Sequence, residues 1–494
     1  MHVAATPVVG TAARTNARDI RIRAGIAALF AVAAFHLAYA NPLLSPLMVV
    51  FLFCTASVAW IDTPRGAFWL GLGIGLAIYT PHLFFFAGIF HFFTISLWLI
   101  LSIWIGFFTM FAHYALRRIP RSFRLAILLI FPILWTGLEY FRSELNPLRF
   151  TWLTPGLAFP ADYTASLLGV YGVGTALMFL AAAALLAPRA WRIPALAAAV
   201  AIAAVANPLL ERSPFRSREQ AGPLGPFIVG IQSAALPDSL DKALAAYPNA
   251  DLFMLSEYTF ESLPPQSVRS WCAAHHKYLL VGGIRYLPPA PGLPKNAFRD
   301  TAFVIGPDGK IVFEQAKSVP IQFMADGLPT ASQQLWHSPW GDVGICICYD
   351  LSYTRVTDRL ARMGAAMLLV PAMDVTSWGL HEHQLHARIG PMRAAEYGIP
   401  IVRVCSSGIS QLIDRSGKVL ATAPFPGPGA MIAGQVRMGG SASLPLDRAF
   451  AAPCAWLALA YGIIELTLAT RRRIRQIRAA RRIRRQKSLA ITPG

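Results

Sequence analysis

The stretch Gly341–Asp350, GDVGICICYD, alternates apolar with small residues up to Cys348, then turns abruptly polar at Tyr349, Asp350 and Ser352. Such a pattern predicts a buried strand, Val343–Cys348, that carries a thiol to its carboxyl end. Reactive groups and ligands of α/β proteins collect at the carboxyl ends of strands. The stretch therefore implies both a sheet and a place for chemistry on it.

Outward from this strand, the whole segment 211–448 reads as α/β. Strands are expected at Phe227–Gln232, Asp251–Leu255, Tyr278–Tyr286, Thr301–Gly306, Lys310–Gln315, Ala366–Pro371, Ile399–Cys405, Gln411–Asp414 and Lys418–Thr422. Helices are expected near 238–247, 264–276, 353–363 and 380–397. GPDGK and DRSGK are hairpin turns, so the sheet should be mixed. Pro288–Pro294 and Pro424–Gly429 read as surface loops.

The rest of the chain belongs in a bilayer. Of its 494 residues 55% are hydrophobic and only 14% charged, where a soluble domain carries about 25%. Apolar runs of span length lie near 22–40, 43–61, 66–88, 92–116, 124–141, 163–187, 192–210 and 449–470. The first has no cleavage site of the signal-peptide kind. Arg14, Arg18, Arg21 and Arg23 precede span one, Arg65 follows span two, Arg117, Arg118, Arg121 and Arg124 follow span four, and Arg189 and Arg192 follow span six. The intervening short loops at 41–42 and 89–91 carry no Lys or Arg. The positive-inside rule then puts both termini in the cytoplasm and 211–448 outside it. The expected division is a cytoplasmic N-terminal segment (1–21), seven spans (22–210), the extracytoplasmic domain (211–448), span eight (449–470) and a basic cytoplasmic tail (471–494). Net charge is +19, and ten basic residues crowd into Arg471–Lys487. Directly after an apolar span, such a run reads as a stop signal and a contact for anionic lipid rather than a nucleic-acid site.

Three apolar strands each end in a different reactive group: DLFMLS before Glu257, IVFEQA before Lys317, and GICIC at Cys348. A thiol needs a base to take its proton. A partly buried carboxylate can be that base, and an ammonium can hold the oxyanion formed when thiolate attacks a carbonyl. Each residue alone has a plainer reading: a core thiol, a solvated loop acid, a surface lysine. Their occurrence at three strand ends favours the chemical one. The six cysteines show no CxxC or His/Cys metal spacing, and Cys346 and Cys348 are placed poorly for a disulfide. No disulfide, metal or cofactor is expected. Glu139 and Arg142, one helical turn apart near an interface, are expected to pair and to help seat a lipid headgroup.

In this order Glu257, Lys317 and Cys348, with DTAFVIGPDGKIVFEQAK leading into the lysine and GICICYD around the cysteine, resemble the nitrilase (carbon–nitrogen hydrolase) superfamily over about residues 225–437. His386 and ARIGPMRAAEYG resemble the helix after its nucleophile strand. The whole chain is similar to the apolipoprotein N-acyltransferase family, in which such a domain lies between spans seven and eight. Trp135, Glu139, Arg142, Trp152 and Gly156 fall in a segment like that family's. The loop KSVPIQFMADGLP departs from the family's Lys-x-x-Val-Pro-Phe-Gly-Glu, with Asp326 nearest the missing Glu.

The resemblance implies an α-helical transmembrane bundle of about eight spans plus a nitrilase-like α-β-β-α sandwich. It implies Glu257 as general base, Lys317 as oxyanion stabiliser and Cys348 as nucleophile. Tyr349, Asp350, Asp326, Trp378 and His386 are supporting or substrate-binding candidates, and Tyr349 N–H is a second oxyanion donor. The implied reaction moves a fatty acyl chain from a phospholipid, through a thioester, to the α-amine of a lipid-modified apolipoprotein in a bacterial inner membrane. A monomer is expected. The alternatives are a membrane-tethered amidase or an acyltransferase with another acceptor, and a transporter or scaffold with a degenerate domain.

Overall fold

The computed structural model describes residues 9–161, 163–211, 222–232, 238–439 and 444–489. Parts of the expected N-terminal segment (1–8), of the domain's start (212–221) and of the tail (490–494) lie outside the described residues. Among the described residues, seven helices are long and apolar enough to cross a membrane: Arg18–Ala40, Pro42–Trp60, Phe86–Arg118, Arg121–Leu145, Ser166–Leu186, Arg189–Ala206 and Asp447–Arg481. Eight were expected from the sequence. The missing one, 66–88, is the helix Pro64–His82, which Arg65, His82 and four glycines make too polar. It still belongs to the bundle. A Cβ at Gly71 would stand 2.2 Å from Thr109 Oγ1, and one at Gly75 2.7 Å from Ser102 Cβ. Small residues here let the helix Thr94–Arg118 approach closely. Span eight and the tail form one continuous helix, Asp447–Leu489.

The strands are β1 (Ile228–Gln232), β2 (Leu252–Met254), β3 (Tyr278–Tyr286), β4 (Phe298–Ile305), β5 (Ile311–Ala316), β6 (Leu335–Ser338), β7 (Gly341–Ile345), β8 (Met367–Ala372), β9 (Ile401–Cys405), β10 (Gln411–Ile413), β11 (Val419–Thr422) and β12 (Ala430–Gly434). They form two six-stranded sheets, ordered β12-β1-β2-β3-β4-β5 and β11-β10-β9-β8-β7-β6. Both are mixed. β1, β2 and β3 run parallel, as do β7, β8 and β9, and the outer pairings are antiparallel.

Strand periodicity builds the layers. Ile228, Leu252, Met254 and Leu280 meet Val343, Ile345, Leu369 and Val402 between the sheets. The alternate residues Val229, Phe253, Leu279 and Val281 face Leu240, Ala243, Val268 and Cys272 of the helices Asp238–Ala246 and Gln266–His275. Behind the second sheet, Leu368, Val370 and Ile401 pack on Val356, Leu360 and Met392 of Thr354–Arg362 and Ile389–Tyr397. That last core runs without interruption into the membrane bundle. The helix expected over 380–397 is two, Leu380–Ala387 and Ile389–Tyr397. Pro391 has no N–H to continue the first.

Polar links fasten the domain to the bundle. Glu144 Oε1 accepts from Thr354 N (3.1 Å), Thr354 Oγ1 (2.9 Å) and Tyr171 Oη (3.1 Å). Val170 N donates to Glu396 Oε1 (2.8 Å), and Arg388 Nη2 to the Tyr39 carbonyl (2.7 Å).

Candidate active site

The strand leading to Cys348 is shorter than its sequence suggests. β7 ends at Ile345, and Cys348 opens the tight turn Cys348–Ser352 with φ 49°. A non-glycine residue at positive φ is held by its surroundings at some energetic cost, a common trait of reactive positions. The turn is held by Asp350, whose carboxylate accepts from Ile347 N (3.1 Å), Ser318 N (3.0 Å) and Val319 N (2.7 Å). Burial pushes the Asp350 carboxyl up to about 6, with those amides opposing. Asp350 thus ties the cysteine turn to the loop after Lys317.

Cys348, Glu257 and Lys317 come together at the carboxyl ends of β7, β2 and β5, each with at most 2% exposure. Lys317 Nζ lies 2.6 Å from Glu257 Oε1, 2.7 Å from Asp326 Oδ2 and 3.4 Å from Asp300 Oδ2. Glu257 Oε2 accepts from Met373 N at 2.6 Å, and Cys348 is within its hydrogen-bonding reach. Burial alone would raise the Glu257 carboxyl, but the Lys317 ammonium and neighbouring donors hold it below the usual range. Burial would lower Lys317, and the surrounding carboxyls raise it instead. The Cys348 thiol is pushed up by burial and by the Glu257 charge. It is a thiol at rest and needs a base. Gly282 makes the packing possible: a Cβ there would stand 2.5 Å from Glu257 Cα.

Asp326, the acid nearest the Glu expected in the lysine loop, also accepts from Ile321 N (2.6 Å) and Tyr258 Oη (2.8 Å). Asp300 is a third acid at the ammonium, and sequence reading missed it. On β4 it looks like one polar residue in a strand, but it is 1% exposed. Burial and the Glu257 charge push its carboxyl far up. Glu257, Asp300 and Asp326 have oxygens close enough to one another to hold a metal ion. Lys317 already occupies the position such an ion would take.

A cleft opens on Cys348. Phe85, Phe86, Phe90, Leu101 and Phe150 of the membrane part line it, facing Ile321, Phe323, Tyr349, Trp378 and His386 of the domain. Trp152, also in its wall, stacks on His386 (centroids 5.1 Å apart, planes at 27°) and donates to Ser352 Oγ (3.1 Å). His386 Nδ1 is 2.8 Å from Asp374 Oδ1, whose other oxygen takes Arg403 Nη2 at 2.5 Å. Arg403 was not singled out from sequence. The only sign of it was a charge inside an apolar strand.

Glu139 and Arg142 do not form the expected pair within 4 Å. Arg142 donates to the Trp152 carbonyl (3.4 Å) and stacks on Tyr79 (5.4 Å). Both are buried in the bundle, and neither lines the cleft.

The fold joins a bundle of apolar, span-length helices to a nitrilase-like, or carbon–nitrogen hydrolase-like, domain. Residues 266–443 match the carbon–nitrogen hydrolase family profile, and residues 24–183 match that of the apolipoprotein N-acyltransferase N-terminal domain. The chain is 24% identical over 508 aligned residues to the apolipoprotein N-acyltransferase of Geobacter metallireducens, covering 88% of this chain and 93% of that one. A stretch of 94 residues is 35% identical to deaminated glutathione amidase of Dictyostelium discoideum, covering 18% of this chain and 32% of the relative. Among solved structures, Saccharomyces cerevisiae Nit3 superposes with a TM-score of 0.36 at 18% identity, covering 43% of this chain and 91% of Nit3. The two profiles and the full-length relative make the chain similar to the apolipoprotein N-acyltransferases along most of its length.

Proposed function

We propose that this protein is a membrane N-acyltransferase. It moves a fatty acyl chain from a phospholipid, through a thioester on Cys348, to the N-terminal α-amine of a diacylglyceryl-cysteine apolipoprotein. The observation that carries the reading is the shared cleft. Aromatic side chains of the membrane bundle reach the nucleophile, so an acyl tail held among them presents its ester to the sulfur. A hydrolase for small soluble amides has no use for such a wall.

Glu257 takes the thiol proton and Cys348 attacks the ester carbonyl. Lys317, with the backbone N–H of Tyr349, stabilises the oxyanion. The C–O bond breaks, lysophospholipid leaves with the proton from Glu257, and the thioester remains. An incoming amine then takes the acyl group. Tyr349 and Trp378 flank the substrate, and Asp350 and Asp326 hold the nucleophile turn and the ammonium in register.

The orientation has support beyond loop charge. Pro64–His82 carries Arg65 at one end, and His82 at the other contacts His381 of the domain (3.1 Å). Nineteen residues of helix span roughly 28 Å, about one bilayer core. This supports an arrangement with the basic loop and the catalytic domain on opposite sides, the domain outside a bacterial inner membrane and both termini in the cytoplasm. One copy holds every site residue, which favours a monomer.

The test is incubation of the purified protein with a fluorescent-acyl phospholipid. A Cys348-dependent thioester, discharged by a synthetic lipopeptide amine and slowly by water, is expected. Rapid discharge by water would instead favour an amidase, and no adduct at all would favour a non-enzymatic role.

A further inference from the structure

Glu257 is a poor base for the second half of the reaction. Its oxygens are engaged by Lys317 and Met373 N, and neither Glu257 nor Lys317 lines the cleft. An ammonium entering that cleft meets other groups first: Arg149, Asp374, Glu382 and His386 beside Cys348. Of these, His386 offers a bare ring-nitrogen lone pair. It is 2% exposed and its Nε2 has no hydrogen-bond partner. Asp374 Oδ1, 2.8 Å from Nδ1, selects the tautomer with the proton on Nδ1. Arg403 Nη2 lies within hydrogen-bond distance of Nδ1 (2.8 Å) and also donates to Asp374 Oδ2 (2.5 Å). Burial and Arg403 lower the imidazole, so it is neutral at pH 7. Glu382 is pushed far up by burial and by Asp374, so it is protonated and cannot serve. The Cys348 sulfur, an Asp374 oxygen and a His386 nitrogen lie within 4.8 Å of one another.

We propose that His386, oriented by Asp374, is the base for the acceptor amine, while Glu257 serves the thiol. This rests on the acyl-transfer reading above. His386 Nε2 takes one proton from the ammonium and frees the nitrogen lone pair. The C–N bond forms at the thioester carbonyl, and the oxyanion collapses with cleavage of C–S. The second ammonium proton passes from the nitrogen of the intermediate to the departing sulfur and restores the thiol. The imidazolium later loses its proton to water.

The experiment uses full-length protein in lipid nanodiscs, loaded with fluorescent acyl phospholipid. Thioester discharge is timed with a diacylglyceryl-cysteine peptide and, separately, with hydroxylamine, which is already neutral at pH 7. His386→Gln should form the thioester within about threefold of wild type. Discharge by the peptide should fall at least about thirtyfold, and discharge by hydroxylamine less than about threefold. With wild type, peptide discharge should vary much less with pH through neutrality, because the lowered imidazole is already neutral and takes the proton from the charged α-amine. With His386→Gln it should rise roughly tenfold per pH unit, because only free amine reacts. Parallel loss with both nucleophiles, loss of thioester formation, or a wild-type profile that climbs tenfold per unit overturns the proposal. If the variant does not fold, the wild-type profile decides. Absence of any thioester or N-acyl peptide from wild type would instead remove the acyl-transfer reading itself.

Discussion

Replacing Lys317 with methionine removes the one cation among three buried acids while keeping the volume of the side chain. Nζ stands 2.6, 2.7 and 3.4 Å from Glu257, Asp326 and Asp300. Breaking a buried pair leaves about 3–5 kcal/mol of uncompensated charge, which the acids relieve by binding protons. A protonated Glu257 cannot take the thiol's proton. Loss of the oxyanion donor alone costs about 10²–10³ in rate, so Cys348 acylation at pH 7 should fall at least about 10³-fold when both effects act. The pH profile carries the sharper signature. In wild type the ammonium outweighs burial and keeps the Glu257 carboxyl low. Its base form therefore persists through neutral pH, and its loss limits the rate only in acid. In the variant burial is opposed only by the remaining hydrogen-bond donors, the carboxyl rises, and residual acylation should climb with pH across the neutral range. The assay is thioester formation from fluorescent phospholipid, timed by gel from about pH 5 to 9. A loss below tenfold, or an acid limb that stays put, would refute the assignment of Lys317 as both counter-charge and oxyanion donor.

Other substitutions separate the neighbouring groups. Asp300→Asn should keep acylation within about fivefold, because the carboxyl is held protonated and an amide copies its shape and donor. Asp326→Asn removes an ionic partner of Lys317 and should cost about 1.5–3 kcal/mol, roughly 10–100-fold in the same assay. Gly282→Ala drives a methyl against the Glu257 backbone, so the melting temperature should drop by the equivalent of about 1–3 kcal/mol, with acylation falling alongside. Trp152→Ala removes the ring stacked on His386 and the bond to Ser352, and should cost about 3–5 kcal/mol in denaturant unfolding.

The strongly patterned parts of the chain were legible. β1 to β5 and β7 to β11 lie where alternating apolar runs predict them, and the hairpin turns at Asp308–Gly309 and Ser416–Gly417 join the expected partners. β6 and β12 escaped because LWHS and AMIAG are short and lack a polar–apolar alternation. Pro64–His82 lies near the expected third span, and what the sequence hid there was the part its glycines play. Its glycines read as apolar filler in a span, whereas they serve close helix contact. Among site residues, Glu257, Lys317 and Cys348 announce themselves at strand ends. Asp300 and Arg403 sit inside strands, where a sequence gives no sign that the polar side chain points inward. The cleft's membrane wall was equally hidden, because it brings residues near 85–101 against residues near 321–386.

β1 opens the catalytic domain and β12 closes it, and the two are antiparallel neighbours in register from Ile228↔Gly434 to Gln232↔Ala430. Paired strands lie about 4.8 Å apart, so the polypeptide enters and leaves this domain almost at one spot. A folded unit with adjoining ends can be spliced into a tight helix-to-helix connection without prying the flanking helices apart. The entry and exit strands thus need only a narrow gap between the flanking helices, while the contact between domain and bundle is made elsewhere, by the core behind the second sheet.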